Sequence, residues 1–387
     1  MMPKHRSDRA MQSGRGFGPY AWKQPLLMTL STVTWLVLAP STSAQLARLQ
    51  SVTSAVPGES GQVELKRAVW STFYSTAPRT ALYGDDLLRV SPGTIVELLC
   101  PDLTVTDNVR AGESSVNEAC PGTPNGIRDP SSVSETWSAL DDSIPFVISP
   151  WDGRVLTPTP ALRWNPVEGA HEYDITLQKQ ELGDTWSDVW TVTREGSTSL
   201  YPEDQSGLES GEKYRVIVTA DTGASSLDGG TPPTSFRLIP GEEREPAAAA
   251  IARINDADTS NLIKTLILVE DVYPNFQLFS QGINDLLAAI ASGDSSPQIH
   301  RLLGDYYLRI GLARPAKTAY LTALSGAIAS GQLEEQVLAE WGLGMLYGRI
   351  DREEQAKRHL ECARLGATAL GDSGMLSSIE EAIASLE

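Results

Sequence analysis

The C-terminal third of this chain repeats itself. Gly304, Tyr307, Arg309-Ile310, Ala316-Lys317, Tyr320 and Ala323 return 40 residues later as Gly344, Tyr347, Arg349-Ile350, Ala356-Lys357, Leu360 and Ala363. An earlier set, Val269, Tyr273, Gly282, Leu286 and Ala289, stands 34 residues before Leu303, Tyr307, Ala316, Tyr320 and Ala323. Such a unit cannot bury its apolar face alone, so copies must stack on one another. The spacing predicts helical hairpins at 263–296, 297–336 and 337–370, followed by a terminal helix at 373–386. Gly304 and Gly344 leave room for a second helix to come close. Ala316 and Ala356 are the facing small residues, and Tyr307, Tyr320, Tyr347 and Leu360 fill the volume between.

This alternation of small and large positions resembles the tetratricopeptide repeat over residues 263–370. The first copy departs from the pattern, with Glu270 where a small residue belongs and Pro274 just after Tyr273; the third carries Leu360 in place of a large aromatic. The resemblance implies a concave groove, lined mainly by first helices, that binds an extended peptide or a partner helix. His300, Arg301, Asp305, Tyr306, Glu340 and Met345 are its candidate groove residues. No cluster of Lys or Arg gathers on one first helix, so a clamp for acidic tails has no support. Cys362, at a small-residue position, is read as a buried packing residue.

Two β-rich stretches come before the repeats. From Gly61 to Asp142, short apolar runs alternate with Gly, Pro, Asp and Asn, as in Gln62-Val63-Glu64-Leu65-Lys66 and Thr94-Ile95-Val96-Glu97-Leu98-Leu99. These read as half-buried strands. The run LYGDDLLRVSPGTIVELL resembles the FecR-like domain of bacterial periplasmic proteins. Cys100 and Cys120 flank a polar loop in this stretch, and in an exported chain such a pair is expected as a disulfide. From Pro145 to Pro240, several short alternating strands predict an antiparallel two-sheet sandwich. The segment resembles a fibronectin type III domain, with Trp164 as core tryptophan and Leu208, Gly211 and Tyr214 approaching a tyrosine corner. That family is a binding and spacing module without catalysis. Trp151, Trp186 and Trp190 could form an aromatic ligand platform, with Trp186 and Trp190 on one face of a strand; core burial is the stronger expectation.

The N-terminus reads as an address. Lys4, Arg6, Arg9, Arg15 and Lys23 precede an apolar run from Leu26 to Leu38, and Pro40 to Ala44 supply small residues. That order is a secretory signal, with cleavage expected after Ala44 and a retained anchor as the alternative. The expected layout is therefore a signal at 1–44, a linker at 45–60, the FecR-like domain at 61–142 and the sandwich at 145–240. A linker and helix at 241–262 then lead into the repeats at 263–387. The fold class is all-β followed by all-α, ending in an α-solenoid. Nothing after the signal is apolar over a long enough run to span a membrane.

Charge and motifs narrow the function. A net charge of −18, from 49 acidic against 31 basic residues, argues against a nucleic-acid binder. No phosphate-binding loop, nucleophile elbow or paired-histidine zinc motif is present. Asp256-Ala257-Asp258 begins like a calcium loop, but Ile267 stands where a bidentate Glu is needed. It is read instead as a cap cluster before Asn261. His171, His300 and His359 are too scattered for a triad, and Asp85–Asp86 and Asp141–Asp142 read as turn and surface pairs. No catalytic residue, metal site or cofactor is predicted. The expected function is a non-catalytic periplasmic or secreted scaffold that grips a protein or peptide partner in the repeat groove. The alternative is an envelope or glycan-binding protein that uses its β domains for the ligand and its repeats for oligomerisation.

Overall fold

Alternation of apolar and polar side chains builds the first module. In the computed structural model, which describes residues 45–58, 60–121, 141–183, 185–228 and 235–386, the chain enters on β1 (Gln45–Ser54). Short strands follow: β2 (Val63–Lys66), β3 (Tyr74–Ser75), β4 (Ala81–Tyr83), β5 (Leu87–Val90), β6 (Thr94–Leu99), β7 (Val105–Thr106) and β8 (Gly112–Ser115). A helical turn, α1 (Val116–Ala119), closes the module. They form two antiparallel four-stranded sheets, in the orders β4-β1-β6-β7 and β3-β2-β5-β8. The linker expected at 45–60 is thus corrected: its first ten residues are a strand that pairs with both β4 and β6. Ala47 and Leu49 of that strand are buried, so it belongs to the core. The signal, with its expected cleavage site, lies outside the described residues.

Cys100 and Cys120 form the expected disulfide, with their Cα atoms 5.4 Å apart. Closing that loop contributes about 3 kcal/mol by restricting the unfolded chain.

The second module has eight strands: β9 (Val147–Ser149), β10 (Gly153–Val155), β11 (Leu162–Trp164), β12 (Glu172–Gln180), β13 (Trp186–Glu195), β14 (Thr198–Ser199), β15 (Lys213–Ala220) and β16 (Phe236–Leu238). They make a three-stranded sheet, β14-β11-β9, and a five-stranded sheet, β10-β16-β15-β12-β13. Trp164 on one sheet meets Tyr173 on the other, ring centroids 5.6 Å apart, and both are buried. The Tyr214 hydroxyl accepts a hydrogen bond from the Glu209 backbone N–H at 3.0 Å, tying the loop before β15 to that strand.

One expectation about this sheet fails. Leu177 pairs with Trp190 but Gln178 pairs with Asp188, so Val189 is an extra residue in β13. Such a bulge shifts the side-chain phase. Trp190 packs inward on Tyr201, whereas Trp186 turns to the other face, beneath the Arg215 guanidinium at 4.3 Å. The two tryptophans do not share a face.

From Gly241 the chain is helical: α2 (Gly241–Asn255), α3 (Asn261–Ile267), a π-helical turn (Leu268–Val272), α4 (Tyr273–Phe276), α5 (Phe279–Ala291), α6 (Pro297–Arg309), α7 (Ala313–Ser330), α8 (Leu333–Arg349), α9 (Glu353–Leu370) and α10 (Ser373–Ala384). Among the described residues no helix is long and apolar enough to cross a membrane. Ser260 caps α3 by accepting from the Ile263 N–H, so the cap is one hydroxyl rather than the Asp256–Asp258 cluster. Helices α7 and α9 end at Gly331 and Gly371, both left-handed. These two glycines stand 40 residues apart, the same interval as the repeat. In the α6–α7 hairpin, Gly304 lies against the Tyr320 ring: a Cβ there would sit 2.7 Å from it. In the α8–α9 hairpin, Gly344 lies against Leu360 at 2.5 Å by the same measure. Ala316, Ala323, Ala356 and Ala363 are fully buried. Tyr347 is only half-buried and stacks on His359, ring centroids 5.3 Å apart.

Candidate functional site

Residues of α6 and of the start of α8, Gln298, Arg301, Asp305, Glu334 and Glu335 among them, meet the chain's own first β module. Two arginines from that module reach into the helices. Arg48, on β1 and 1% exposed, donates to Glu270 at 2.5 Å. Arg67, just after β2, binds Glu334 through Nε and Nη2 at 3.0–3.1 Å. Its Nη1 holds Asp86 at 2.5 Å and the Ala81 carbonyl at 2.8 Å. Arg79 adds an ion pair to Asp294 at 2.7 Å. The Trp70 indole N–H donates to Asp372 at 3.3 Å, the Ser71 N–H to the Leu370 carbonyl at 3.2 Å, and the Tyr74 hydroxyl to the Ala369 carbonyl.

Charges this deeply placed survive only when paired and hydrogen-bonded. Burial acts to lower the pKa of Arg67, but Glu334 and Asp86 outweigh it and raise it, so the guanidinium stays charged. Burial pushes the Asp86 carboxyl up, against the pull of Arg67. Asp86, expected on the surface, is therefore corrected to a buried partner 2% exposed. Arg301 behaves like Arg67: burial opposes its charge, and Glu335, Asp305 and Glu270 overcome that. It holds Glu335 and Asp305 at 2.6 Å each, and the Tyr320 hydroxyl donates to Asp305 at 2.7 Å.

The candidate groove residues take up the following places. Arg301 and Asp305 are spent on the charge network. Tyr306 is buried, its hydroxyl donating to the Val269 carbonyl at 2.6 Å, with Gly282 against its ring. Met345 is buried, and Glu340 is buried against His359 at 2.6 Å. His300 is half-buried. Glu270 shows why the first copy departs from the repeat: the residue that displaces a small one is the partner of Arg48. Cys362 is corrected as well, since it is exposed; partial burial and the nearby Glu340 and Glu361 raise its thiol pKa.

A polar cleft remains where the β module meets the helices. Two adjoining cavities, about 110 and 220 Å³, share Ala77, Thr80, Gln298, Gln332 and Glu335 as walls. Sequence reasoning missed Arg48, Arg67, Glu334, Glu335 and Gln298. Only Glu270 carried a signal, as the large residue at a small position.

The sandwich docks at a separate place. The Trp151 indole N–H donates to the Ile310 carbonyl at 2.8 Å, and the Arg154 N–H to the Gln277 carbonyl at 2.9 Å. Asn284 donates to the Ser149 hydroxyl at 3.2 Å. Gly153, at φ +84°, lets the turn approach: a Cβ there would stand 2.5 Å from the Gln277 carbonyl. Trp151 is an inter-module bolt, and with Trp190 in the core the three tryptophans form no shared platform.

Among the described residues no three His, Cys, Asp or Glu side chains converge in a way that could hold a metal ion. No protein-family model matches the chain, and a search of the curated proteins returns no relative.

Proposed function

We propose that the chain is an exported, non-catalytic scaffold or adaptor that binds a protein or peptide partner at its repeat face, with the two β modules anchoring and spacing that face. The observation that supports this reading best is the interlock. Buried ion pairs tie the first module to the helices, and the Trp151 contacts tie in the sandwich, so the modules present one composite surface. In this reading the first β module would leave, of the groove that the tetratricopeptide resemblance implies, the cleft around Gln298. The disulfide fits an oxidising compartment, which agrees with a periplasmic or secreted placement.

The test is cross-linking of the full chain in its native envelope fraction, with photoreactive groups at Thr76 or Gln332 beside the cleft and at Asp188 on the sandwich. A single protein partner joined at the first two positions and not at the third is the expected result. Retention of cell-wall glycan through the sandwich, with no protein joined at the cleft, would replace this reading with that of an envelope-binding protein.

A further inference from the structure

The cleft has a definite chemical preference. Gln298 lies on α6, is 9% exposed and lines both cavities; its amide makes no hydrogen bond to any described residue. Although the residue is largely buried, its amide opens onto the cleft, where water or a ligand answers it. Around it most of the arginine donors are already spent, Arg301 Nη2 standing 3.9 Å from Glu270. Arg67 uses its Nε and both terminal nitrogens on Glu334, Asp86 and Ala81, and Arg301 uses Nε and Nη1 on Glu335 and Asp305. What the walls offer in excess is acceptors, since Glu335 has lone pairs that Arg301 does not fill.

The charge balance points the same way. Arg67 and Arg301 line the larger set of walls against Glu270, Asp305, Glu334 and Glu335, an excess of two negative charges. Including the neighbouring pairs leaves that excess unchanged, because Arg48 and Arg79 are matched by Asp86 and Asp294. Trp70, whose ring already lies under the Arg67 guanidinium at 5.6 Å, and Tyr74 add aromatic side chains to the same walls, and such rings attract cations. The volume suits the end of one side chain rather than a folded element.

We propose that this cleft receives a cationic group rich in N–H donors, a primary ammonium or a guanidinium, carried either by a Lys or Arg side chain of a protein partner or by a free small amine. The Gln298 carbonyl and the free lone pairs of Glu335 accept its hydrogen bonds. Its charge offsets the acidic excess, and the aromatic walls flank it. The choice of a protein as one source rests on the scaffold reading; the cation preference itself does not.

The experiment is isothermal titration of the full chain with agmatine, with the peptide Gly-Gly-Arg-Gly-Gly, and with glutarate as an anion of similar reach. Saturable binding of agmatine or the peptide, with none of glutarate, is expected. A peptide that binds at least tenfold tighter than agmatine identifies a protein source, and equal affinities identify a free amine. Gln298→Leu should weaken either cation about tenfold while leaving the unfolding midpoint in place. Glu335→Gln should weaken it further, but because it also releases Arg301 the deciding variant is Gln298→Leu. The proposal is overturned by glutarate binding as well as the cations. It is equally overturned by no saturable cation binding up to about 10 mM, or by unchanged affinity in Gln298→Leu. A cross-linked partner indifferent to agmatine and to Gln298→Leu would sink cation recognition and spare the scaffold. Agmatine binding with no partner joined at the cleft would do the reverse.

Discussion

Arg67 makes more hydrogen bonds across the first interface than any other side chain named there. Its guanidinium meets two carboxylates and a carbonyl, and lies over the Tyr83 ring at 4.8 Å. Truncation leaves Asp86 with only the Tyr83 backbone N–H and strips Glu334 of its cation, and a buried charge without its partner is costly. Arg67→Ala should therefore lose about 3–5 kcal/mol in urea unfolding, whereas Arg89→Ala on the exposed face of the same module should lose under about 1 kcal/mol. His300 gives a pH signature. Burial lowers its pKa, so the unfolded chain holds the proton more readily. Its contribution to stability is intact above the ordinary histidine range and is lost as pH falls through the folded value. The urea midpoint of the parent should drop between pH 7 and pH 5 by more than that of His300→Gln. An equal drop in both would remove His300 as the cause.

Helices and strands divide sharply in how far they are legible from residues alone. The progression from β to α is written in local texture: alternation in runs such as Tyr173 to Leu177, then small residues at fixed intervals from Gly304 to Ala363. Hairpin phase follows from sterics that act over a few turns, because Tyr320 leaves no space beside Gly304. Gly304→Ala should accordingly destabilise the chain by about 1–3 kcal/mol through overpacking, despite the higher helix propensity of Ala. Gly241→Ala, with nothing within 4 Å, should not destabilise it; thermal unfolding of the two variants measures the contrast. What local texture cannot carry is phase within a strand once a residue is inserted. Val189 does that in β13, and it sends Trp186 to the face opposite Trp190. Cys362 misleads for a related reason, since a small residue on a second helix can as easily face water as a neighbour.

At the scale of the whole molecule, the candidate site is the part the sequence hides. Its pairs join residues far apart along the chain: Arg48 with Glu270, Arg67 with Glu334, Trp70 with Asp372. No periodicity links such partners, and each arginine, taken alone, reads as an ordinary polar position in a strand. The sandwich contact is of the same kind. Trp151→Ala removes the Ile310 hydrogen bond and the buried indole at that junction, and should split calorimetric unfolding into two transitions where one is expected for the parent. These separations also impose an order on biogenesis. The ribosome makes the first module more than 200 residues before its helical partners (222 residues for Arg48 and Glu270), so its arginines stay hydrated until the last third of the chain arrives. Final closure is then a late, long-range event of the slow-folding kind. A nascent chain interrupted before Glu270 would carry the first module with none of these partners yet made.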